Sequence, residues 1–438
     1  MARRGRIDGA GAAFYLWPMV RIGESLASAN ISSAAFWRDA RLARLIAALN
    51  GGGEETRVVG GAVRDALLGK PVADVDLATT ATPDETIRRA KAAGFRTAPT
   101  GVDHGTVTVI VEGKPFEVTT LREDIETDGR HAKVRFGRDF EADALRRDFT
   151  VNALSADAAG RVYDYAGGLA DIAARKIRFI GDARQRARED YLRIVRFFRF
   201  HAWHGEGPLD REGLDAAIAE RGGLAGLARE RIRAEMLKTM TAPGIAFVAR
   251  EMSDAGILGL ISGGVAYPER LRAFIDIERA REIAPDPLAR LGALLVVVEE
   301  DAARLAANWR LSNAEAARLR QGAAALVERH GQEAPPPPGR LRETLMIHGR
   351  RAALDAVMLA QAEAGVAPND IGWTAAWRFL SDTPEPRLPF SGADLMARGV
   401  PAGRGMGETL KRLQALWIRA GFPSDPQTLS RLLEQARE

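Results

Sequence analysis

Hydrophobic and polar positions change their period along the chain and divide it near residue 183. After Ser33, apolar residues recur at helical spacing and stop at Asn50 and three glycines, which predicts a first helix. Short apolar or alternating runs then predict strands at residues 57–59, 72–77, 106–111 and 116–121, with a helix at 62–68 between the first two. Residues 33–182 are therefore predicted to form a small mixed β-sheet with helices.

From Ala183 onward, strand signals give way to long Ala/Leu/Arg segments of helical period. The predicted fold class is therefore α+β, with an all-α second half. We place boundaries so that 183–270 and 271–438 are two helical segments. The proline run at 335–338 is the clearest linker, because consecutive prolines favour an extended conformation.

The N-terminus carries only a short apolar patch, interrupted by Pro18, which is not typical of a signal peptide. Residues 1–32 are predicted to be an extension and a candidate for disorder. No apolar run approaches the roughly 20 residues that span a bilayer, so no membrane association is predicted.

The chain contains no cysteine, which excludes disulfides, zinc–thiolate sites and cysteine nucleophiles and predicts a cytoplasmic protein. Its net charge is only +4, but just seven of its 62 basic residues are lysines. Arginine suits phosphates and base edges, so a nucleic acid is a plausible partner. A biased genome would produce the same composition, and motifs must therefore decide.

Three carboxylates form the candidate catalytic group. In a strand, Asp74 and Asp76 project to one face, and Glu117 from another strand could supply a third carboxylate. Such a group can hold two Mg²⁺ ions that activate a hydroxyl and neutralise a leaving pyrophosphate. A lone Asp-x-Asp also occurs in sugar-nucleotide transferases, in phosphatases and at solvated strand ends.

A glycine turn precedes the carboxylates. Gly60 and Gly61 allow the backbone to approach a ligand, helix-start amides follow them, and Arg64 lies one turn further along. This arrangement suits a triphosphate. The alternative is a structural strand–helix turn with Arg64 in a surface ion pair, and a double glycine by itself favours that alternative.

Taken together, the motifs resemble the class II CCA-adding enzymes and bacterial poly(A) polymerases. The resemblance covers about residues 57–238 and rests on matching order and spacing of the segments at 58–65, 74–77, 146–154, 164–171, 189–197 and 230–235. It implies a nucleotidyltransferase head at 33–182, a nucleotide-selecting neck at 183–270, and a tRNA-binding body and tail at 271–438.

By this resemblance, Asp74 and Asp76 bind the metals, and Glu117 is a further catalytic carboxylate. The nucleotide-binding residues implied are Gly60, Gly61, Arg64, Arg147, Asp148, Asp190, Arg193, Arg196 and Arg199. The polar segment at 122–131 corresponds to a flexible loop that takes part in the switch from C to A addition.

Base selection can be argued from Asp190 and Arg193, which are three residues apart and adjacent on a helix surface. Cytosine and adenine each offer an amino donor beside a ring-nitrogen acceptor, which an aspartate and an arginine can satisfy. Uracil and guanine present the reverse pattern. Arg199 is rotated away from Asp190, and a solvated ion pair explains Asp190 and Arg193 in isolation.

The predicted function is addition of C, C and A to the 3′ end of tRNA from CTP and ATP, with Mg²⁺ as cofactor. A poly(A) polymerase shares the head and neck motifs, and an enzyme adding only CC or only A is a second alternative. An inactive RNA-binding scaffold and a sugar-nucleotide transferase are more distant ones. The oligomeric state is left open.

Overall fold

The computed structural model describes residues 29–101, 105–126, 133–398, 400 and 402–437. The chain divides into two compact units, one running up to Leu224 and the other from Ala225 onward. This boundary falls inside the segment 183–270, and the finer division into extension, head, neck, and body with tail stays a prediction.

A mixed sheet forms the centre of the first unit. The strands described in this unit are β1 (Thr56–Val59), β2 (Leu77–Thr79), β3 (Arg96–Gly101), β4 (Thr106–Val111), β5 (Lys114–Thr120), β6 (Arg122–Glu126), β7 (Lys133–Phe136), β8 (Ser155–Ala156) and β9 (Val162–Tyr163). Seven of them form the sheet in the order β3-β4-β5-β2-β1-β8-β9, and among these described strands only β2 and β5 pair in parallel. The small mixed sheet predicted from the sequence is confirmed.

The hairpin of β4 and β5 follows the alternation seen in the sequence. Val107, Val109 and Val111 are fully buried, whereas the residues between them are partly exposed. Glu112 and Gly113 both have positive φ, 48° and 81°, which is the geometry of a two-residue hairpin turn. The second strand therefore starts two residues before the predicted 116–121.

The predicted loop at 122–131 is wrong for its first half. Residues 122–126 form β6, which pairs antiparallel with β7 in a separate two-stranded sheet. The alternation of this polar segment is weak, so pairing with β7 decides its conformation. Residues 127–131 lie outside the described part of the chain.

Helices pack around the sheet of the first unit. They are α1 (Ala40–Leu49), α2 (Gly61–Leu67), α3 (Pro83–Ala92), α4 (Phe140–Leu145), α5 (Gly168–Ala173), α6 (Ala183–Glu189), α7 (Leu192–His204) and α8 (Arg211–Glu220). The first predicted helix is divided into a 3₁₀ turn at Ala35–Arg38 and α1. The division occurs at Asp39, because its carboxylate accepts a hydrogen bond from Arg41 N at 3.0 Å and so caps the start of α1.

Residues before Ser33 pack against the sheet of the first unit. Ile31 is 1% exposed and donates its N–H to Gly160 O at 2.8 Å, and Val162 N donates to Ala29 O at 2.9 Å. Residues 29–32 therefore extend the edge of the sheet beside β9. Residues 1–28 of the predicted extension lie outside the described residues.

The second unit is built from helices, and its described residues include no strand. They are α9 (Arg229–Met240), α10 (Ile245–Asp254), α11 (Ile257–Ser262), α12 (Pro268–Ala280), α13 (Pro287–Leu295), α14 (Glu299–Trp309), α15 (Asn313–Leu326), α16 (Pro338–Ala364), α17 (Ile371–Asp382), α18 (Gly392–Met396), α19 (Arg404–Arg419) and α20 (Pro426–Arg437). The α+β class with an all-α second half is confirmed.

The proline run at 335–338 does not separate domains. Pro338 is the first residue of α16, and α16 packs directly against α15 on the other side of the run. Proline is favoured at the first position of a helix because its missing N–H has no helical partner there. No described helix, α16 included, combines the length and apolar character that crossing a membrane requires.

Candidate active site

The glycine turn joins β1 to α2 at the centre of the sheet. Gly60 has φ of 65°, donates its N–H to Leu154 O at 2.9 Å, and accepts from Arg64 N at 3.1 Å. A side chain at position 60 would come within 3.1 Å of the Arg147 guanidinium. Both the backbone conformation and this close approach require glycine.

Asp74 and Asp76 lie just before a strand, and the predicted strand at 72–77 is wrong for these two residues. Strand β2 begins only at Leu77, because its pairing with β1 and β5 starts there. The segment 70–76, which we call the carboxylate segment, has no regular secondary structure. Its end is fixed by a hydrogen bond from Val59 N to Asp76 O at 3.0 Å.

The register of the parallel strands brings Glu117 beside the pair. Leu77 pairs with Val118, so Asp76 and Glu117 occupy equivalent positions one residue earlier on neighbouring strands. Leu77 and Val118 are buried, whereas Glu117 is exposed, as the sequence predicted. The sheet thus brings together residues that are 41 positions apart in the chain.

The charges of this group repel one another. The pKa of Asp76 is raised, first by desolvation among the surrounding protein atoms and then by the negative charges of Glu117 and Asp74; Arg147 opposes this shift. Within the described residues, no ion pair or side-chain hydrogen bond engages Asp74, Asp76 or Glu117. The carboxylates therefore form a focus of negative charge that a cation would stabilise.

The donor set suits a hard divalent cation. No group of three or more His, Cys, Asp or Glu residues lies close enough to hold a metal anywhere in the described chain. Mg²⁺ is commonly held by one or two carboxylates, with substrate phosphates and water completing its shell. Asp74 and Asp76 fit that pattern, and the role of Glu117 as a further ligand stays a prediction.

Arg64 is buried behind the glycine turn, with 8% of its surface exposed. Its guanidinium donates to both carboxylate oxygens of Asp65, at 2.9 and 3.1 Å, and to Asn152 Oδ1 at 2.5 Å. This bidentate pair fixes the plane of the guanidinium. The surface ion pair considered from the sequence is therefore a buried network.

Arg147 is held in a similar way on the opposite side of Gly60. It donates to Asp143 Oδ2 at 3.0 Å and to Asn152 O at 3.3 Å. Burial alone would raise the pKa of Asp143, but Arg147 and Arg146 outweigh burial and hold that pKa below its usual value. Asp143 is thus a fixed anion that orients Arg147 toward the turn.

Asp148 lies inside the protein rather than on its surface. Its carboxylate accepts hydrogen bonds from Arg196 Nε at 2.8 Å, Asn152 Nδ2 at 3.1 Å and Phe149 N at 2.9 Å. Burial opposes ionisation, but Arg196 and Asn152 keep the pKa of Asp148 below its usual value. Asp148 therefore connects the segment after α4 to Arg196 of α7, and its predicted contact with the nucleotide stays a prediction.

Asp190 and Arg193 do not share one helix, contrary to the prediction. Asp190 ends α6, and its carboxylate accepts from Leu192 N at 3.1 Å at the start of α7. Its carbonyl accepts from Arg193 N at 2.9 Å. The Arg193 guanidinium pairs with Glu189 and also donates to Arg186 O at 3.2 Å. The two candidate base-reading residues are thus adjacent but held by different partners.

Three arginines surround the ring of Phe200, which is 5% exposed. The guanidinium carbons of Arg64, Arg196 and Arg199 lie 5.3, 5.1 and 4.3 Å from its centroid. Such contacts favour a cation over an aromatic face. Phe200 thus joins the glycine turn to α7, which carries Arg196 and Arg199.

Sequence reasoning did not assign roles to Asn152, Asp143 or Phe200. Asn152 lies within the motif that contains Arg147 and Asp148, and it bonds to Arg64, Asp148 and Arg147 in turn. The signal available in the sequence was an amide side chain within a motif of charged residues, which could bond to them. The position of Phe200 had no such signal, because an aromatic residue in an apolar helix usually belongs to the core.

Comparisons with known proteins identify the family of the chain. Residues 56–178 match the family model described as Poly A polymerase head domain. The chain is 33% identical over 386 residues to the CCA tRNA nucleotidyltransferase 1, mitochondrial, of Mus musculus, covering 86% of this chain and 85% of the relative. It is 41% identical over 230 residues to the CCA-adding enzyme of Geobacillus thermodenitrificans, covering 52% and 56% respectively.

A solved structure extends the agreement to the whole fold. The Bacillus stearothermophilus CCA-adding enzyme in complex with CTP superposes with a TM-score of 0.69 at 28% identity, covering 91% of this chain and 97% of that one. The resemblance inferred from the motifs is thereby confirmed and extends beyond residue 238. The chain belongs to the CCA-adding tRNA nucleotidyltransferase family.

Proposed function

We propose that this protein adds C, C and A to the 3′ end of tRNA from CTP and ATP and releases pyrophosphate. The observation that carries the proposal is the similarity to CCA tRNA nucleotidyltransferase over 86% of the chain, which reaches far beyond the head. The head model alone, at residues 56–178, would suit a poly(A) polymerase equally. Relatives that span both units are named for CCA addition.

The reaction joins the 3′ hydroxyl of tRNA to the α-phosphorus of a nucleoside triphosphate. The new O–P bond forms as the bond to the bridging oxygen of pyrophosphate breaks, and the hydroxyl proton leaves to solvent. Arg64 and Arg147 flank the glycine turn and are oriented by Asp65 and Asp143. They would bind the triphosphate and offset the negative charge that develops on the leaving group.

Enzymes of this family use divalent metal ions, and we propose Mg²⁺ for this protein. Asp74 and Asp76 would hold it. Desolvation and then the charges of Glu117 and Asp74 raise the pKa of Asp76, so a cation that offsets these charges is favoured there. When bound, such a metal lowers the pKa of the attacking hydroxyl and neutralises pyrophosphate. Glu117 would contribute negative charge beside the pair.

Selection of the nucleotide is assigned to the junction of α6 and α7. Asp190 would accept the exocyclic amino group of cytosine or adenine, and Arg193 would donate to the neighbouring ring nitrogen. Glu189 pairs with Arg193. Burial alone would raise the pKa of Glu189, but the hydrogen bonds and charges of Arg193 and Arg186 outweigh burial and lower that pKa. A charged Glu189 therefore keeps Arg193 next to Asp190.

The proposal is tested by incubating the protein with Mg²⁺, labelled CTP or ATP, and tRNA that ends before CCA. We expect two cytidines and one adenosine to be added, after which extension stops. Long adenylate tails on varied RNAs would instead indicate a poly(A) polymerase, and addition that ends after CC, or that requires tRNA already ending in CC, would indicate a partial enzyme. The cytoplasmic location stays a prediction, since the mouse relative is named as mitochondrial.

A further inference from the structure

Lys70 begins the carboxylate segment and contacts two helices. After α2, Gly69 turns the chain with φ of 68°. The backbone N–H of Lys70 then donates to Asp65 O in α2 at 2.8 Å. The following residues up to Asp76 have no regular secondary structure. The path of this segment therefore depends on the contacts made at its two ends.

The Lys70 side chain reaches the last turn of α7. Its ammonium donates to Trp203 O at 2.7 Å and to His204 Nδ1 at 3.1 Å. The last carbonyls of a helix have no helical donor, and a cation is favoured at that end by the helix dipole. Lys70 thus supplies both a hydrogen-bond donor and a positive charge to the C-terminus of α7.

The surroundings fix the direction of the hydrogen bond to His204. The pKa of His204 is held well below its usual value, first by burial and then by the positive charges of Arg64, Lys70, Arg199 and Arg175. A neutral imidazole can accept at Nδ1 while Lys70 donates. His204 also stacks on Phe200, with ring centroids 6.0 Å apart.

Lys70 itself is half-buried among charged neighbours. Its pKa is lowered, mainly by burial; Asp65 and Glu206 raise it, while Arg175 and Arg64 lower it. Burying an ammonium is costly unless its hydrogen bonds are satisfied. The carbonyl of Trp203 and the ring of His204 provide that satisfaction, so the contact is specific to this end of α7.

We propose that Lys70 is a positioning residue, which ties the carboxylate segment to the last turn of α7 and so sets Asp74 and Asp76 relative to the nucleotide-selecting helix. The inference rests on the proposed function. Val59 N holds the segment at Asp76 O, and Lys70 holds it at the other end. Asp74 lies between these two attachments, so releasing one of them displaces its carboxylate.

The test replaces Lys70 by methionine, which keeps the length of the stem and removes the charge and the donors. Lys91, an exposed lysine of α3, gives the matched control K91M. Initial rates of CTP addition to tRNA ending before CCA are measured across CTP and Mg²⁺ concentrations, with circular dichroism and thermal unfolding to verify folding. A displacement of about 1 Å in an active site costs up to about 10²-fold in rate.

We expect K70M to lower kcat by about 10- to 100-fold and to raise the Mg²⁺ concentration at half-maximal rate several-fold, with KM for CTP changed less than about 3-fold. Lys70→Gln, which retains an uncharged donor, should fall between K70M and the wild type. If K70M does not fold, kcat and Mg²⁺ dependence are compared between K70Q and K91M instead.

A folded K70M or K70Q whose kcat and Mg²⁺ dependence match those of K91M would overturn the inference. A lowered Tm with unchanged kcat at 25 °C would overturn it as well, because it would show that the contact only stabilises the fold. Failure of the wild-type protein to extend the tRNA would contradict the proposed function instead, and the two failures are therefore distinguishable.

Discussion

The two sides of the active site differ in how their charges are compensated. On one side, Asp74 and Asp76 lie in an irregular segment and face Glu117 without an ion pair to a described residue. On the other, Arg64 and Arg147 are each fixed by a carboxylate, at 2.9 and 3.0 Å. Among the described residues, the three carboxylates therefore have no ion-pair partner, whereas each of the two arginines already has one.

This difference indicates which part of the site the protein organises in advance. The arginine side is a chain of hydrogen bonds from Arg64 through Asn152 and Asp148 to Arg196, and it needs no ligand to hold its shape. The carboxylate side is complete only when a cation is bound. Changes on the two sides should therefore separate: loss of a carboxylate should act through the metal and leave the fold intact, whereas loss of an arginine should also destabilise the fold.

The largest expected effect is on catalysis. Asp74→Ala removes one of two carboxylates that hold the metal, and nucleotide addition should fall by at least about 10³-fold. tRNA binding, measured by filter retention, should persist, because the variant leaves the rest of the protein unchanged. Asp84→Ala, on the exposed first turn of α3, is the control and should retain full activity. Unchanged incorporation by D74A would refute the catalytic role.

On the arginine side, the principal effect should be on stability. Arg196→Met leaves the buried Asp148 carboxylate without its cation, and we expect the free energy of unfolding to fall by about 2–4 kcal/mol. The value lies below that of a fully buried pair because Arg196 is partly exposed. Urea denaturation measures it.

The control for Arg196→Met is Arg88→Met on α3. Arg88 pairs with Glu85 at the surface, where solvent screens the two charges, so its loss should destabilise the protein far less than the loss of Arg196. Equal destabilisation by the two substitutions would show that the network around Asp148 contributes no more than an ordinary surface ion pair.

A smaller effect is expected on nucleotide selection. Asp190→Asn keeps an oxygen that can cap α7 at Leu192 N but replaces an acceptor by a donor. Preference for CTP over UTP should fall by about 10- to 100-fold, which corresponds to about 1–3 kcal/mol for a mismatched buried group. Asp182→Asn, which alters the cap of α6, serves as the control. If D190N and D182N prefer CTP over UTP to the same extent, Asp190 does not take part in reading the base.

The smallest effect is a gain. Asp76→Asn relieves repulsion with Asp74 and Glu117, so in EDTA the free energy of unfolding should rise by a few tenths of a kcal/mol, a size limited by solvent screening. The sign follows from the raised pKa of Asp76, because its charged form is less stable in the folded protein. The added stability that Mg²⁺ alone gives the wild type should be lost. Destabilisation in EDTA would contradict this.

Local pattern predicted the elements whose residues alternate or recur regularly. Strand β4 matched its prediction because Val107, Val109 and Val111 alternate with partly exposed residues and occupy the core side. Asp74 and Asp76 alternate as well, but the regular ladder with β1 begins at Leu77, and before it Val59 N bonds only to Asp76 O. An alternating sequence forms a strand only where successive hydrogen-bond partners exist. The same competition between local pattern and pairing explains why 122–126 is a strand.

The candidate residues were recognisable from motifs, whereas their partners were not. Arg64 and Arg147 stood in segments of distinctive order, but their bonds to Asn152 join positions 88 and five residues apart. The assignment of Arg193 to the same helix as Asp190 was wrong because α6 ends before Asp190. The Asp190 carboxylate instead accepts a hydrogen bond from Leu192 N at the start of α7. Such contacts depend on tertiary packing, which a single sequence does not reveal.

The most direct test of the difference between the two sides is CTP binding in excess EDTA, measured by isothermal titration calorimetry. If the arginine side is organised in advance, wild-type protein and D74A should bind CTP without metal, with Kd values within about 3-fold of each other. Arg64→Met should weaken that binding by at least about 10-fold, since charge-assisted hydrogen bonds contribute about 1.5–3 kcal/mol each. CTP binding that is undetectable in EDTA and appears only with Mg²⁺ would contradict the account.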